Sequence, residues 1–137
     1  MMEFIINALI EYHARLTGID PALVRAVAAI ESRYDPHAVS NKGAVGVLQV
    51  MPVNYSGDPK ALKNISVNIP EGIKLLVKYR EVCQHKENYT WLVCYNRGRT
   101  GGSKVKEPHK DDYYLKVRSR FSIEKIKGTV GKQNEIY

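Results

Sequence analysis

One glutamate in this 137-residue chain is placed to do acid chemistry. Asp20 followed by Pro21 makes a helix start, with the aspartate as N-cap and the proline at the first helical position, where its missing N–H is no loss. From there Leu23, Val24, Val27 and Ile30 recur at helical spacing and define a buried stripe. Glu31 follows Val27 by four residues and Val24 by seven, so it projects from the edge of that stripe. A carboxyl there loses solvation, which favours its neutral, proton-donating form. Kept protonated near neutral pH, it can act as a general acid toward a glycosidic oxygen. The plainer alternative is a boundary glutamate paired with Arg33 or another surface base. Residues 34–46, a polar turn with Gly43 and Gly46, would leave such an acid open to a groove.

The elements that must position Glu31 read as nearly all helix. Residues 3–17 have helical period and stop at Gly18, a good residue to close a helix. The helix over 21–33 is broken by Asp35-Pro36, because the residue before proline resists helical geometry. At most a small β-hairpin is expected near residues 36–48. A helical turn follows within Leu48 to Tyr55, and Asp58-Pro59 starts another. Asn68 is expected to cap a long helix over about 69–86, with Pro70 in its first turn and Ile73, Leu76, Val77 and Arg80 marking its faces. Tyr89 to Arg97 reads as a short helix ending at Gly98, followed by a flexible loop over 99–104. A last helix over about 109–127 partly buries Tyr113, Leu115, Val117 and Phe121, and residues 128–137 form a loose tail. With no repeat and no linker, residues 1–137 are expected to be a single, mainly α domain.

Composition narrows the classes. Hydrophobic residues at 44% and charged residues at 26% are those of a soluble globular protein. No apolar run reaches the length of a membrane span, and the start, Met1-Met2-Glu3-Phe4, has no basic region of the kind that begins a secretory signal. A chain made in the cytoplasm is therefore expected. Between Arg97 and Lys132 eleven Lys or Arg stand against four acids, which accounts for the whole net charge of +7. This basic third suits electrostatic contact with anionic envelope surfaces, or is simply a solvated face. A nucleic-acid role has only this charge behind it, since no recognition motif accompanies it, and no specific nucleic-acid partner is expected. Cys83 and Cys94 fall on consecutive helices, so a bridge is possible, but free buried thiols are the expected state. His13, His37, His85 and His109 show no ligand spacing, so neither metal nor other cofactor is expected.

Glu31-Ser32, Ser40, Gly43-Ala44, Gly46 and Gln49-Val50-Met51-Pro52, in one ungapped block, resemble the signature of the lytic transglycosylases. These lysozyme-like enzymes cut bacterial peptidoglycan. Tyr95-Asn96-Arg97-Gly98 resembles that family's Tyr-Asn-Ala-Gly motif, and Asn64 to Leu76 its central helix. The resemblance covers roughly residues 21–117 and implies a lysozyme-like fold with Glu31 as catalytic acid. It further implies Ser40 beside the cleaved bond, Gln49 bonding the glycan through its amide, and Met51 as an apolar wall under a sugar. Tyr95 would point its hydroxyl toward Glu31 and the acetamido group, and Asn96 would hold backbone in the groove. Two positions depart from the pattern. Arg97 replaces a small residue, and Lys110 stands where many members have a glutamate four residues before a Tyr-Val pair, here matched to Tyr114-Leu115.

The resemblance implies cleavage between N-acetylmuramic acid and N-acetylglucosamine, with a 1,6-anhydromuramyl product and Glu31 serving as acid and then base. Ordinary glycosidases need two carboxyls. From Gly43 to Met51 there is no acid, and Asp58 is the nearest beyond. A hydrolytic goose-type lysozyme and a catalytically silent peptidoglycan-binding protein stand as alternatives. The expected setting is a monomeric bacteriophage endolysin or virion-associated enzyme, acting on the wall from the periplasm after release.

Overall fold

The computed structural model describes residues 1–136, with side chains to residue 128. Five α-helices appear in chain order among these residues: α1 (Met2–Thr17), α2 (Pro21–Ser32), α3 (Ile65–Val82), α4 (Leu92–Ser103) and α5 (Asp112–Ile136). Short 3₁₀ turns lie at Pro52–Asn54, Pro59–Lys63, Glu87–Tyr89 and Pro108–Lys110. Two isolated bridges, Val39 with Val45 and Val45 with Val50, stand in place of a sheet. The architecture is mainly α, as expected, with no more than this trace of a hairpin.

α2 is the centre of the molecule, packed against α1 and α5. Its burial goes beyond one stripe. Ala22, Leu23, Val24, Ala26, Val27 and Ala28 are all buried, so the helix is covered nearly all round. The alanines make this possible, because small side chains let neighbouring helices approach closely. α1 contributes Ile6, Ile10 and Ala14 from one face and ends at Gly18, in the left-handed region at φ 73°. Arg25 is the polar residue in the middle of α2. Its guanidinium reaches Glu124 of α5 (3.2 Å) and Glu11 of α1 (3.3 Å), tying the three helices together. Burial alone would push the Glu124 carboxyl up, but the hydrogen bond from Arg120 and the charges of Lys127 and Arg120 leave it below its ordinary range.

Five expectations are corrected. First, α3 begins at Ile65, capped by Asn64, whose Oδ1 accepts the Ser66 N–H (2.9 Å); Asn68 is not the cap. Pro70 is thus inside α3, where it removes one rung of an 18-residue ladder. The helix ends at Val82, because Cys83 turns to extended geometry. Second, residues 99–103 are not a flexible loop but the second half of α4, which bends at Gly98 (φ 81°, ψ 165°). The glycines serve packing there: a Cβ on Gly102 would fall 2.5 Å from Cys94 Cα. Third, Cys83 and Cys94 are not free thiols but a disulfide, with Cα atoms 6.0 Å apart, joining the end of α3 to α4. The burial that suggested thiols accommodates a bridge equally well. Fourth, Leu115 is exposed, and the inward stripe of α5 is Tyr114, Val117 and Phe121. Fifth, the loose tail expected over 128–137 is instead helical, the end of α5, as far as Ile136, with side chains described only to Gly128, and Tyr137 lies outside the described residues. No described helix is long and apolar enough to cross a membrane.

Candidate active site

α2 ends abruptly. Arg33 and Tyr34 both take left-handed backbone (φ 53° and 65°), and the Arg33 N–H closes the last turn onto the Ala29 carbonyl (3.1 Å). Non-glycine residues seldom adopt this region. Two in succession stop the helix at Ser32, one residue after Glu31, leaving Glu31 at the end of a buried rod. The Ser32 hydroxyl donates to the Val47 carbonyl at 2.7 Å, fastening the following loop to the helix end.

That loop, residues 38–50, is held through its own backbone. Val45 and Val50 exchange both N–H···O bonds at 2.9 Å, and the Gly46 N–H reaches the Ala38 carbonyl at 2.8 Å. Gly46 (φ 81°) has no room for a side chain, since a Cβ would lie 2.4 Å from Asn68 Nδ2. Asn68, buried on α3, clamps the loop from below. Its amide nitrogen donates to the carbonyls of Val45 (2.8 Å) and Leu62 (2.9 Å), and its Oδ1 accepts the Leu48 N–H (2.9 Å). Gly72 on the same helix lets Leu48 sit close, because a Cβ there would meet the Leu48 side chain at 2.5 Å. These backbone groups would otherwise be buried and unpaired.

Glu31 is half-buried beside Tyr113 of α5 and within electrostatic reach of Tyr95 of α4. Desolvation by burial pushes its carboxyl from 4.5 up to about 7, and the hydroxyl of Tyr113 pulls in the opposite direction by favouring the ionised form. The Tyr113 hydroxyl is buried and makes no hydrogen bond of standard geometry, yet it lies close enough to sense the Glu31 charge. Its own pKa is raised well above 10 by desolvation and then by Glu31. Tyr95 is raised for the same two reasons in the same order. The acid therefore sits between two neutral phenols, near neutrality in its own titration and able to give or take a proton.

The other expected site residues fall variously. Tyr95 reaches the site, but its hydroxyl donates to the Leu48 carbonyl at 2.6 Å instead of pointing freely at Glu31. It is a strut between α4 and the loop, with Tyr79 edge-on to it at 6.2 Å. Ser40 is exposed in the loop, and its hydroxyl accepts the Ala44 N–H at 3.0 Å. Gln49, left-handed at φ 52°, uses its amide nitrogen within the loop, on the Gly46 (2.9 Å) and Ala38 (3.1 Å) carbonyls. Only its carbonyl oxygen is left for a ligand. Met51 is half-buried at the start of the Pro52–Asn54 turn. Asn96 is exposed, and no bond from its side chain to backbone is found among the described residues. Lys110 pairs with Glu107 (3.2 Å) on the surface.

Sequence reasoning passed over Tyr113 and the loop clamps Asn68, Ser32 and Gly72. An aromatic beside the matched Tyr114-Leu115 pair was the available signal for Tyr113, one residue out of register. Other acids are engaged elsewhere. Asp58 caps its turn through the Lys60 N–H (3.0 Å), and Asp35 accepts the His37 N–H (2.9 Å). No group of three His, Cys, Asp or Glu residues able to hold a metal occurs among the described residues.

A single desolvated glutamate at the blunt end of a buried helix, over a loop held by backbone bonds, defines a lysozyme-like helical domain. Residues 8–116 match the Transglycosylase SLT domain family, and the chain belongs to that family. It is 29% identical over 122 residues to the membrane-bound lytic murein transglycosylase C of Actinobacillus pleuropneumoniae, an alignment covering 76% of this chain and 33% of that protein. To the endo-type membrane-bound lytic murein transglycosylase A of Klebsiella pneumoniae it is 38% identical over 71 residues, 43% of this chain and 35% of the relative. The chain thus spans about a third of the length of these curated relatives. An inactive mutant of the lytic transglycosylase Slt from Pseudomonas aeruginosa shares the fold, with a TM-score of 0.71 at 18% identity over 89% of this chain and 24% of that one.

Proposed function

We propose that this chain is a peptidoglycan lytic transglycosylase domain that cleaves the β-1,4 bond between N-acetylmuramic acid and N-acetylglucosamine. The carrying observation is Glu31, a lone carboxyl raised to about 7 at the end of α2. As acid it protonates the glycosidic oxygen, and the leaving sugar departs with that proton. The muramyl acetamido oxygen stabilises the cation that develops. Glu31, now a carboxylate, removes the proton from the C6 hydroxyl as that oxygen bonds to C1. The product is a 1,6-anhydromuramyl end, and no water is consumed. The engagement of Asp35 and Asp58 in turns favours this single-acid route over hydrolysis, which needs a second carboxyl to direct water.

In this reading Ser40 and the Gln49 carbonyl contact the glycan from the loop, Met51 supports a sugar ring, and Asn96 faces it from α4. Tyr95 acts through the loop it holds. The Cys83–Cys94 bridge supports work outside a reducing cytoplasm, where the wall lies. A bacteriophage setting and contact of the basic third with anionic surfaces are the finer proposals. The second is weakened by internal pairing of Arg120 and Lys127 with Glu124.

The test is digestion of purified peptidoglycan by the wild type and by Glu31→Gln, with mass spectrometry of the fragments. We expect fragments lighter by one water than hydrolytic products, and a rate reduced about 10²–10⁴-fold in the variant. Hydrated, reducing products would assign a goose-type hydrolase instead. Wild-type turnover retained by Glu31→Gln would end the proposal.

A further inference from the structure

Arg97 interrupts the Tyr95-Asn96-Arg97-Gly98 segment with a cation, and the structure holds that cation in place. Its Nη2 donates to Asp111 Oδ2 at 2.6 Å. The Asp111 side chain is 2% exposed and that of Arg97 is 51% exposed. The second carboxylate oxygen of Asp111 accepts the Tyr114 N–H at 3.0 Å, at the start of α5. Asp111 is thus fixed by the helix it caps, and it grips one arm of a guanidinium whose remainder faces solvent. An arginine used only for surface stability would contribute little here, because its outer half is wet.

The ion pair links α4 to the segment that opens α5, and Asp111 is close enough to Tyr113 to raise its pKa, as Glu31 does. Arg97 is two residues past Tyr95, which bonds the catalytic loop, and Asp111 is two residues before Tyr113, whose hydroxyl faces Glu31. Beyond Arg97 the backbone turns away at Gly98 (φ 81°), with no atom within 4 Å of where a Cβ would stand. A planar fork with free N–H donors, held rigid by a buried acid, matches a carboxylate.

We infer that Arg97, oriented by Asp111, is a specificity-determining residue that pairs with a carboxylate borne by the muramyl residue of the substrate. This rests on reading the chain as an enzyme of muramyl glycan. Muramic acid differs from its glucosamine neighbour by a lactyl ether ending in a carboxyl. In a bare strand that carboxylate is free; in native wall it is amide-linked to a stem peptide that supplies carboxylates of its own. The chemistry Arg97 reads is common to both.

The experiment compares kcat/KM on three glycan preparations: native peptide-bearing strands, strands stripped by an amidase, and stripped strands whose carboxylates have been amidated with carbodiimide and ammonium. Arg97→Gln combined with Asp111→Asn keeps a hydrogen-bonded pair without stranding a buried charge. Arg97→Lys keeps the charge on Asp111 and loses the fork, and serves if the double variant does not fold. The wild type should prefer carboxylate-bearing to amidated strands by about tenfold, the difference lying in KM. Both variants should lose most of that preference while melting cooperatively. Preference on stripped strands assigns the lactyl carboxylate, and preference confined to native strands assigns the stem. A wild type that turns over all three preparations alike, or a folded variant that keeps the preference, overturns the Arg97 inference alone. A wild type that cleaves none of the three overturns the glycanase reading and this one with it.

Discussion

At the scale of the residue, the chemistry depends on what solvent can reach. Glu31 titrates near 7 because burial at the end of α2 disfavours its charge, against a smaller opposing pull from Tyr113. Tyr113→Phe removes that pull, so the Glu31 pKa should rise further. As the acid must be protonated, the alkaline limb of the kcat/KM profile should move to higher pH. A limb that stays put or moves down would take Tyr113 out of the site. The same burial has a consequence for stability. A carboxyl whose folded pKa exceeds its unfolded value contributes fully below about pH 4.5 and loses that contribution as pH rises through about 7. The shift corresponds to about 3 kcal/mol at most. Glu31→Gln should therefore be more stable than wild type at pH 8 and about equal at pH 4. Urea melts at both values check this, and equal midpoints at pH 8 would contradict the desolvation account.

At the scale of the element, the loop over 38–50 is a rigid body only because other elements satisfy its backbone. Asn68 on α3 makes two bonds to it and a third to Leu62, Ser32 on α2 makes one and Tyr95 on α4 one. Asn68→Ala leaves the Leu48 N–H and two carbonyls without these partners. Each buried group so orphaned costs about 1–3 kcal/mol, so a loss of at least ~3 kcal/mol is expected. Activity should fall with it, since Ser40, Gln49 and Met51 all ride on this loop. Thermal melts and glycan turnover of the variant give the two readings, and a variant as stable as wild type would show that the clamp is dispensable.

For the molecule as a whole, the Cys83–Cys94 bridge closes the α3–α4 turn directly before Tyr95. A loop of this size contributes roughly 3 kcal/mol through the unfolded chain. Cys83→Ala with Cys94→Ala should lower the unfolding free energy by about that amount, and reductant should do the same to the wild type while leaving the variant unchanged. Differential scanning with and without reductant makes the comparison. A reductant effect on the variant as large as on the wild type would remove the bridge as its cause. The cross-helix network of Arg25, Glu11 and Glu124 belongs to this scale as well, because it joins α1, α2 and α5 at the end of the core away from Glu31.

By itself the sequence determined what depends on near neighbours. Asp20-Pro21 starts α2, Gly18 ends α1, and the period of Leu23, Val24, Val27 and Ile30 brings Glu31 to the end of a buried face. Local geometry and periodicity suffice for each. Tertiary structure decided whatever depends on residues distant in sequence. Asn68 reads as a helix cap until the loop 20 residues earlier is seen folded onto it. The Gly101-Gly102 pair reads as flexible until Gly102 is seen against Cys94, and two buried cysteines read as thiols until α3 and α4 bring them together. Tyr113 and not its neighbour faces the acid because the start of α5 is set by Asp111, which also holds Arg97. Polar side chains and glycines take their meaning from partners, and partners are supplied by packing.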